Sequence, residues 1–249
     1  MKQIIVGNWK MNCSKQEAEK LILEILNFKN KVEVVVCPPF TSLETVGEKL
    51  KNSNVKLGAQ NVSEFDKGAY TGEISIEMLK SYNCSYCIVG HSERRQYFGE
   101  TNQKVNIKSK KLIANGITPI ICVGETLAER ESGRMSEVIL NQVDESLKNI
   151  SSEEILKTVI AYEPVWAIGT GKTATPEQAN DVHSLIRKKL ADNFSSVISE
   201  KIPILYGGSV KGDNATELLN QKDINGALVG GASLKPLDFI EIINAAKIA

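Results

Sequence analysis

Eight short runs rich in apolar, β-branched residues punctuate the chain, at 4–6, 32–37, 55–59, 87–89, 118–123, 158–162, 202–206 and 227–229. They are hydrophobic almost without interruption instead of alternating with polar residues, as strands buried on both faces of a parallel sheet must be. Between them lie segments such as Ala18, Leu21, Ile22, Ile25 and Val182, Leu185, Ile186, Leu190, whose apolar residues fall three and four apart on one helical face. The order is βα repeated. Eight such units in 249 residues have the count and size of a closed (β/α)8 barrel, whereas an open doubly wound sheet uses fewer strands and shows a switch point. No Pro/Gly/Ser-rich linker or change of composition divides the chain, so the expectation is an α/β fold with one barrel domain over 1–249.

Local signals place the helices. Ser14-Lys15-Gln16-Glu17, Thr41-Ser42-Leu43-Glu44 and Ser151-Ser152-Glu153-Glu154 match the capping box, and Thr175-Pro176-Glu177-Gln178 adds a first-turn proline. Asn115-Gly116 closes the helix before the fifth strand. The stretch 132–155 is long for one crossover and is expected to hold a second short helix from Ser151.

Thirty basic and thirty acidic residues cancel, so no net field recruits nucleic acid or an anionic membrane, and an anionic ligand must be held by local groups. The apolar stretch at the N-terminus is too short for a signal peptide and no run approaches a membrane span, which predicts a soluble, cytoplasmic protein. Five cysteines, an odd number in a long apolar-rich chain, fit a reducing compartment. Cys84-Ser85-Tyr86-Cys87 has redox or metal-pair spacing, yet no second pair or histidine cluster completes a tetrahedral site, which favours small buried residues.

In a barrel of this kind the C-terminal strand ends and the loops after them share one face. Reading only those positions gives Asn8 and Lys10 after strand one, His91, Ser92 and Glu93 after strand four, and Glu163 after strand six. Strands seven and eight lead to Gly207-Gly208-Ser209 and Gly230-Gly231-Ala232-Ser233. Taken singly, Lys10 reads as a solvated lysine, Glu163 as a cap or ion-pair partner, and the glycines as tight turns. His183, on an amphipathic helix, reads as a satisfied polar residue. Together they place a carboxylate, an imidazole, an ammonium, an amide and exposed backbone N–H groups on one rim. Glycine pairs let those N–H groups approach an anion, which points to a phosphate ester. Gly171-Lys172-Thr173 looks like the end of a P-loop, but Trp166 stands where its first glycine belongs and the helix starts only after Thr175.

Gly7-Asn8-Trp9-Lys10-Met11-Asn12, Gly90-His91-Ser92-Glu93-Arg94-Arg95, 161–171 from Ala161-Tyr162-Glu163 onward, Tyr206-Gly207-Gly208-Ser209-Val210 and Gly230-Gly231-Ala232-Ser233-Leu234 resemble, in order and end to end, the triosephosphate isomerase family. The resemblance implies a TIM barrel that interconverts dihydroxyacetone phosphate and D-glyceraldehyde 3-phosphate, in glycolysis and gluconeogenesis, through an enediolate and without metal or organic cofactor. It implies that Glu163 moves the carbon-bound proton, with a pKa that rises when a lid excludes water, and that His91 acts as a neutral imidazole between the substrate oxygens. Lys10 and Asn8 would stabilise the enediolate, Glu93 would position Lys10, and Ser92 would hold Glu163 at rest. Phosphate contacts carry over to Gly169, Ser209, Gly230 and Gly231.

The resemblance further implies a lid over 164–174, including Pro164, Val165, Trp166, Lys172, Thr173 and Ala174, latched by Tyr206 when closed and held through Trp166 by Glu125 when open. Exclusion of water would protect an enediolate that otherwise eliminates phosphate. The loop 60–75 is too long and mixed for a plain turn. In the family it inserts into a partner subunit, with Thr71 near Asn8 and His91, so a homodimer is expected, with Cys13 at the interface. Two other readings stay open on the residues: a Schiff-base aldolase using Lys10, disfavoured because Glu93 would hold that lysine charged, and a non-catalytic partner-docking barrel.

Overall fold

The computed structural model describes residues 3–29, 32–167 and 174–247. Eight strands, β1 (Ile4–Asn8), β2 (Glu33–Cys37), β3 (Lys56–Ala59), β4 (Tyr86–Val89), β5 (Thr118–Val123), β6 (Val159–Tyr162), β7 (Ile204–Tyr206) and β8 (Gly226–Val229), close into one barrel. All neighbours are parallel, and β8 returns to β1 in the register Ile4↔Gly226 to Gly7↔Val229. A side chain at Gly226 would strike the Ile4 carbonyl, the ideal Cβ lying 1.9 Å from that oxygen, so the seam closes only over glycine.

The unbroken hydrophobicity of the strands has a direct cause. Ile4, Val6, Val35, Ile88, Ile120, Val159, Leu205 and Leu228 fill the barrel, while Ile5, Val34, Val36, Val89, Ile121, Ile160 and Val229 pack outward under the helices. All the strands but β3, where Lys56 is exposed, thus bury both faces, and each fully buried aliphatic side chain contributes roughly 1.5–3 kcal/mol.

The capping boxes at Ser14, Ser151 and Thr175 form, and the helices Met135–Ser146 and Ser152–Ile155 fill the long fifth crossover. The box expected at Thr41 does not form. Pro39 starts a 3-10 turn, Phe40–Ser42, so Thr41 already lies inside the turn, and the helix Leu43–Leu50 follows without a side-chain cap. β7 begins two residues after its apolar run because Pro203 has no N–H to donate; its carbonyl still accepts from Ile160 at 3.0 Å. β1 continues through Gly7 and Asn8, whose backbones pair with Val36 and Cys37. Cys84 and Cys87 are buried free thiols, and burial lifts the Cys84 pKa to about 12.

His183, on the helix Pro176–Asn193, is buried against Tyr162 and Tyr206, ring centroids 5.9 and 6.3 Å away. Its Nδ1 lies 3.2 Å from the Asp223 carbonyl oxygen, but Nε2 has no partner among the described residues, so it is only half satisfied. Burial, with a smaller contribution from Arg187, drives its pKa from 6.5 to about 3 against the Asp223 contact. Above pH 6.5 His183 is neutral in both folded and unfolded chains; as pH falls from 6.5 toward 3, only the unfolded chain binds the proton and stability is lost. By pH 4.5 the loss is on the order of 3 kcal/mol. His183→Gln is therefore expected to lose less stability than the parent between pH 7 and 4.5 in urea titrations, and parallel losses would show that the imidazole is not responsible.

Candidate active site

Strand ends of the barrel open on a cleft of about 700 Å³ lined by Asn8, Lys10, His91, Glu93, Glu163, Ser209, Gly230 and Gly231, with Gly207 and Gly208 in its wall. With Ala232, eleven of the residues singled out at the strand ends therefore meet in one place.

Glu163 is 2% exposed at the end of β6, its backbone N–H donating to the Val123 carbonyl at 2.8 Å. The carboxylate accepts from the Ser92 backbone N–H at 2.8 Å and lies 2.9 Å from His91 Nε2. Gly207 leaves room for it, since a Cβ there would sit 2.9 Å from Glu163 Cγ. Burial alone would raise the Glu163 pKa, but His91, the Ser92 N–H and Lys10 outweigh it and hold the carboxyl below its ordinary range. In this arrangement the base is parked and ionised, a direction opposite to the rise expected of a sealed site.

His91 caps the helix Ser92–Phe98, its Nδ1 accepting from the Glu93 backbone N–H at 3.2 Å. That bond needs the Nδ1 lone pair, so the ring proton sits on Nε2, facing Glu163. Burial lowers the His91 pKa while the Glu163 carboxylate, and to a lesser degree Glu93, lifts it above its ordinary value in this contact. Once Glu163 moves away, burial, the helix amide and the Lys10 charge favour neutral imidazole against the smaller pull of Glu93.

Lys10 adopts φ +52 just beyond β1. Its N–H donates to Asn8 Oδ1 at 3.0 Å, which leaves Asn8 Nδ2 as the cleft-facing donor, and its Nζ pairs with Glu93 Oε1 at 2.5 Å. A Cβ at Gly230 would lie 3.8 Å from Lys10 Nζ, so the ammonium is close to the glycine-lined end of the cleft, and its charge also acts on Glu163 and His91. There Gly230 precedes the 3-10 turn Gly231–Leu234, and the Ser233 hydroxyl donates to the Gly230 carbonyl at 2.6 Å.

Behind the cleft, buried Glu125 accepts through Oε1 from Trp166 Nε1 at 2.8 Å, Tyr162 OH at 3.1 Å and Arg130 Nη1 at 2.9 Å. Arg130 also stacks over the Trp166 ring, 4.9 Å from its centroid. The expected lid begins with a 3-10 turn, Val165–Ala167, that the sequence did not announce. Tyr206 is buried with its hydroxyl beside Gly208, where a Cβ would lie 2.2 Å away, and Ala174 is buried nearby. Gly169, Lys172 and Thr173 lie outside the described residues. Thr71 and Cys13 do not line the cleft: Thr71 sits in an exposed stretch and Cys13 is half-buried.

Several contributors carry no sequence signal. Gln60 Nε2 donates to the Lys10 and Cys37 carbonyls at 2.8 and 2.9 Å, and Arg130 completes the Glu125 cluster. Lys211 and Lys235 line the outer cleft. All act from loops or helix faces where such residues are ordinarily just solvated.

The chain matches the family model described as triosephosphate isomerase over residues 3–246. It is similar to the triosephosphate isomerase of Thermoanaerobacter pseudethanolicus, 51% identical over 243 residues that cover 97% of this chain and 98% of that protein. The enzymes of the same name from Dictyoglomus thermophilum and Endomicrobium trichonymphae are each 51% identical over 247 and 249 residues, covering 98% and 99% of this chain and 99% of each of those proteins.

Proposed function

The chain belongs to the triosephosphate isomerase family and interconverts dihydroxyacetone phosphate and D-glyceraldehyde 3-phosphate, a step of glycolysis and gluconeogenesis, and from that premise we propose how its residues divide the work. The observation that carries the assignment is the 2.9 Å contact of Glu163 with His91 Nε2, beside Lys10 and in one cleft.

Glu163 leaves the Ser92 N–H and takes the proton from the carbon beside the substrate carbonyl; the C–H electron pair forms the enediolate and charge moves onto the carbonyl oxygen. His91 gives its Nε2 proton to one oxygen and takes one back from the other, and Glu163 returns its proton to the neighbouring carbon. Lys10 and Asn8 Nδ2 face the charge that develops, in a site where such donors act strongly because little water competes. Glu93 and the Asn8 side chain fix Lys10. The phosphate rests on backbone N–H groups of Ser209, Gly230 and Gly231, joined by Gly169. The lid runs over 164–174, held open by Glu125 on Trp166 and latched by Tyr206. A coupled assay on the purified protein in both directions tests the proposal; absence of turnover would end it.

One domain over 1–249 is the reading that the closed eight-strand order supports. A homodimer built on the loop 60–75 is supported by apolar side chains left in water. Met11 is 96% exposed, Phe65 and Tyr70 stack at 4.0 Å on that loop, and Tyr97 and Phe98 stand out from the helix Ser92–Phe98. Phe65 and Phe98 border one hollow, and apolar surface gathered in this way ordinarily marks an interface. Thr71 would then reach toward the partner's cleft, and Cys13 would lie at the seam. Burial first, and Glu17 second, raise the Cys13 pKa, so alkylation needs mildly alkaline conditions, while the other four thiols are buried. Quantitative alkylation at Cys13 is expected to shift sedimentation from dimer toward monomer; an unchanged coefficient rules the seam out. Five free thiols support a reducing, cytoplasmic setting, and among the described residues no helix is long and apolar enough to cross a membrane.

A further inference from the structure

Gly124 follows the last residue of β5 and has no strand partner, yet both its polar groups are taken by one side chain from outside the barrel. Gln142, on the helix Met135–Ser146, accepts from the Gly124 N–H through Oε1 at 2.7 Å and donates through Nε2 to the Gly124 carbonyl at 3.0 Å. One side-chain amide thus bridges the two peptide groups that flank the Gly124 Cα, as a neighbouring strand would, and extends the sheet by one residue. We propose that Gln142 is a positioning residue for catalysis, holding through Gly124 the backbone that carries Glu163 and the start of the lid.

The connections on either side of Gly124 carry the argument. The preceding residue, Val123, accepts the Glu163 N–H at 2.8 Å. The following residue, Glu125, accepts the Val165 N–H at 3.1 Å through its backbone and holds Trp166 through its carboxylate. Gly124 also lies against Glu163 directly, a Cβ there falling 1.8 Å from the Glu163 carbonyl oxygen. The base and the lid root therefore hang on the residues either side of Gly124, and Gly124 hangs on Gln142. Behind it is a cavity of about 290 Å³ bordered by Gly124, Gln142, Glu163, Val165 and Arg95, into which an unclamped peptide has room to move. Gln142 itself does not line the substrate cleft, so it acts only through the backbone. A displacement of the base by about 1 Å is enough to cost on the order of 10²-fold in rate.

The inference rests on Glu163 being the base, so Glu163→Gln is assayed in parallel. Gln142→Met removes both hydrogen bonds at nearly constant volume. It is expected to lower kcat about tenfold with KM changed less than about twofold. It is also expected to move the acid limb of kcat/KM upward, because a displaced Glu163 loses the Ser92 and His91 contacts that keep its proton off. Asn106→Leu is the structural control: Asn106 staples the far end of the same helix, donating to the Ser146 and Lys148 carbonyls, and its loss leaves kcat and the limb unchanged. Should Gln142→Met not accumulate folded, Gln142→Glu decides; it still accepts from Gly124 but sets oxygen against the carbonyl, and the same split is expected. Melting points that fall while kcat and the limb stay parental overturn the proposal. An active Glu163→Gln overturns the site assignment instead, and is told apart by that variant alone.

Discussion

Glu163→Gln lowers kcat by roughly 10³–10⁴ while KM changes little, at the upper end of what a positioned general base contributes. The substitution keeps the shape and the Ser92 contact, since the amide oxygen still accepts from the Ser92 N–H and the pocket opened by Gly207 takes a side chain of the same size, but its amide N–H now faces the His91 Nε2–H and that contact is lost. What disappears is the lone pair basic enough to take a carbon-bound proton. Lys10, Asn8 and the glycine-lined end of the cleft remain, so substrate binds nearly as before. In the parent, kcat/KM falls on acidification as Glu163 takes up a proton. Because the carboxyl is held below its ordinary value, that limb, corrected for the substrate phosphate titrating near about pH 6, lies below the usual carboxylate range. A steady-state comparison with calorimetric confirmation of folding decides it, and a variant within tenfold of the parent removes Glu163 from the proton-transfer step.

The barrel and part of its catalytic rim were legible for related reasons: the strands are apolar runs, and β1 and β6 run directly into a polar residue at the cleft. Ile4 to Asn8 and Val159 to Glu163 show that change within five residues, and it places Asn8 and Glu163 on the rim without further information. The parts not legible act sideways. Gln60, Arg130 and Gln142 reach the site from loops and helix faces to hold backbone carbonyls or buried carboxylates. A glutamine in a helix reads the same whether it faces water or a strand end. The Thr41 box failed because a proline two residues earlier set the turn's phase, a steric effect that outranks a capping pattern. The resting pKa of Glu163 had no sequence signal either, because sequence shows a buried position but not the partner, and here the partners outweigh burial.

Lys10→Met is the second large effect, and it differs in kind: kcat falls about 10²–10³-fold and KM rises as well. The ammonium lies near Gly230 and its charge acts on Glu163 and His91, so on the proposed mechanism it serves the enediolate oxygen and the phosphate together. A unit charge about 4 Å from a developing negative charge is worth about 4 kcal/mol at an effective dielectric near about 20, which is roughly a thousandfold in rate. The part of that attraction already felt by the substrate phosphate appears in KM; only the part that grows as the enediolate forms appears in kcat. Stability is expected to change little. Both residues must adopt the same positive φ at position 10, and Glu93, 40% exposed at its side chain, regains water when its partner is lost. The control is Glu93→Gln, which leaves the ammonium in place but loosens it, and so lowers kcat less than Lys10→Met does. If Lys10→Met raises KM alone, Lys10 is a phosphate anchor and the enediolate charge is carried by His91 and Asn8. If kcat falls alone, the phosphate is held entirely by the backbone amides around Ser209 and Gly230.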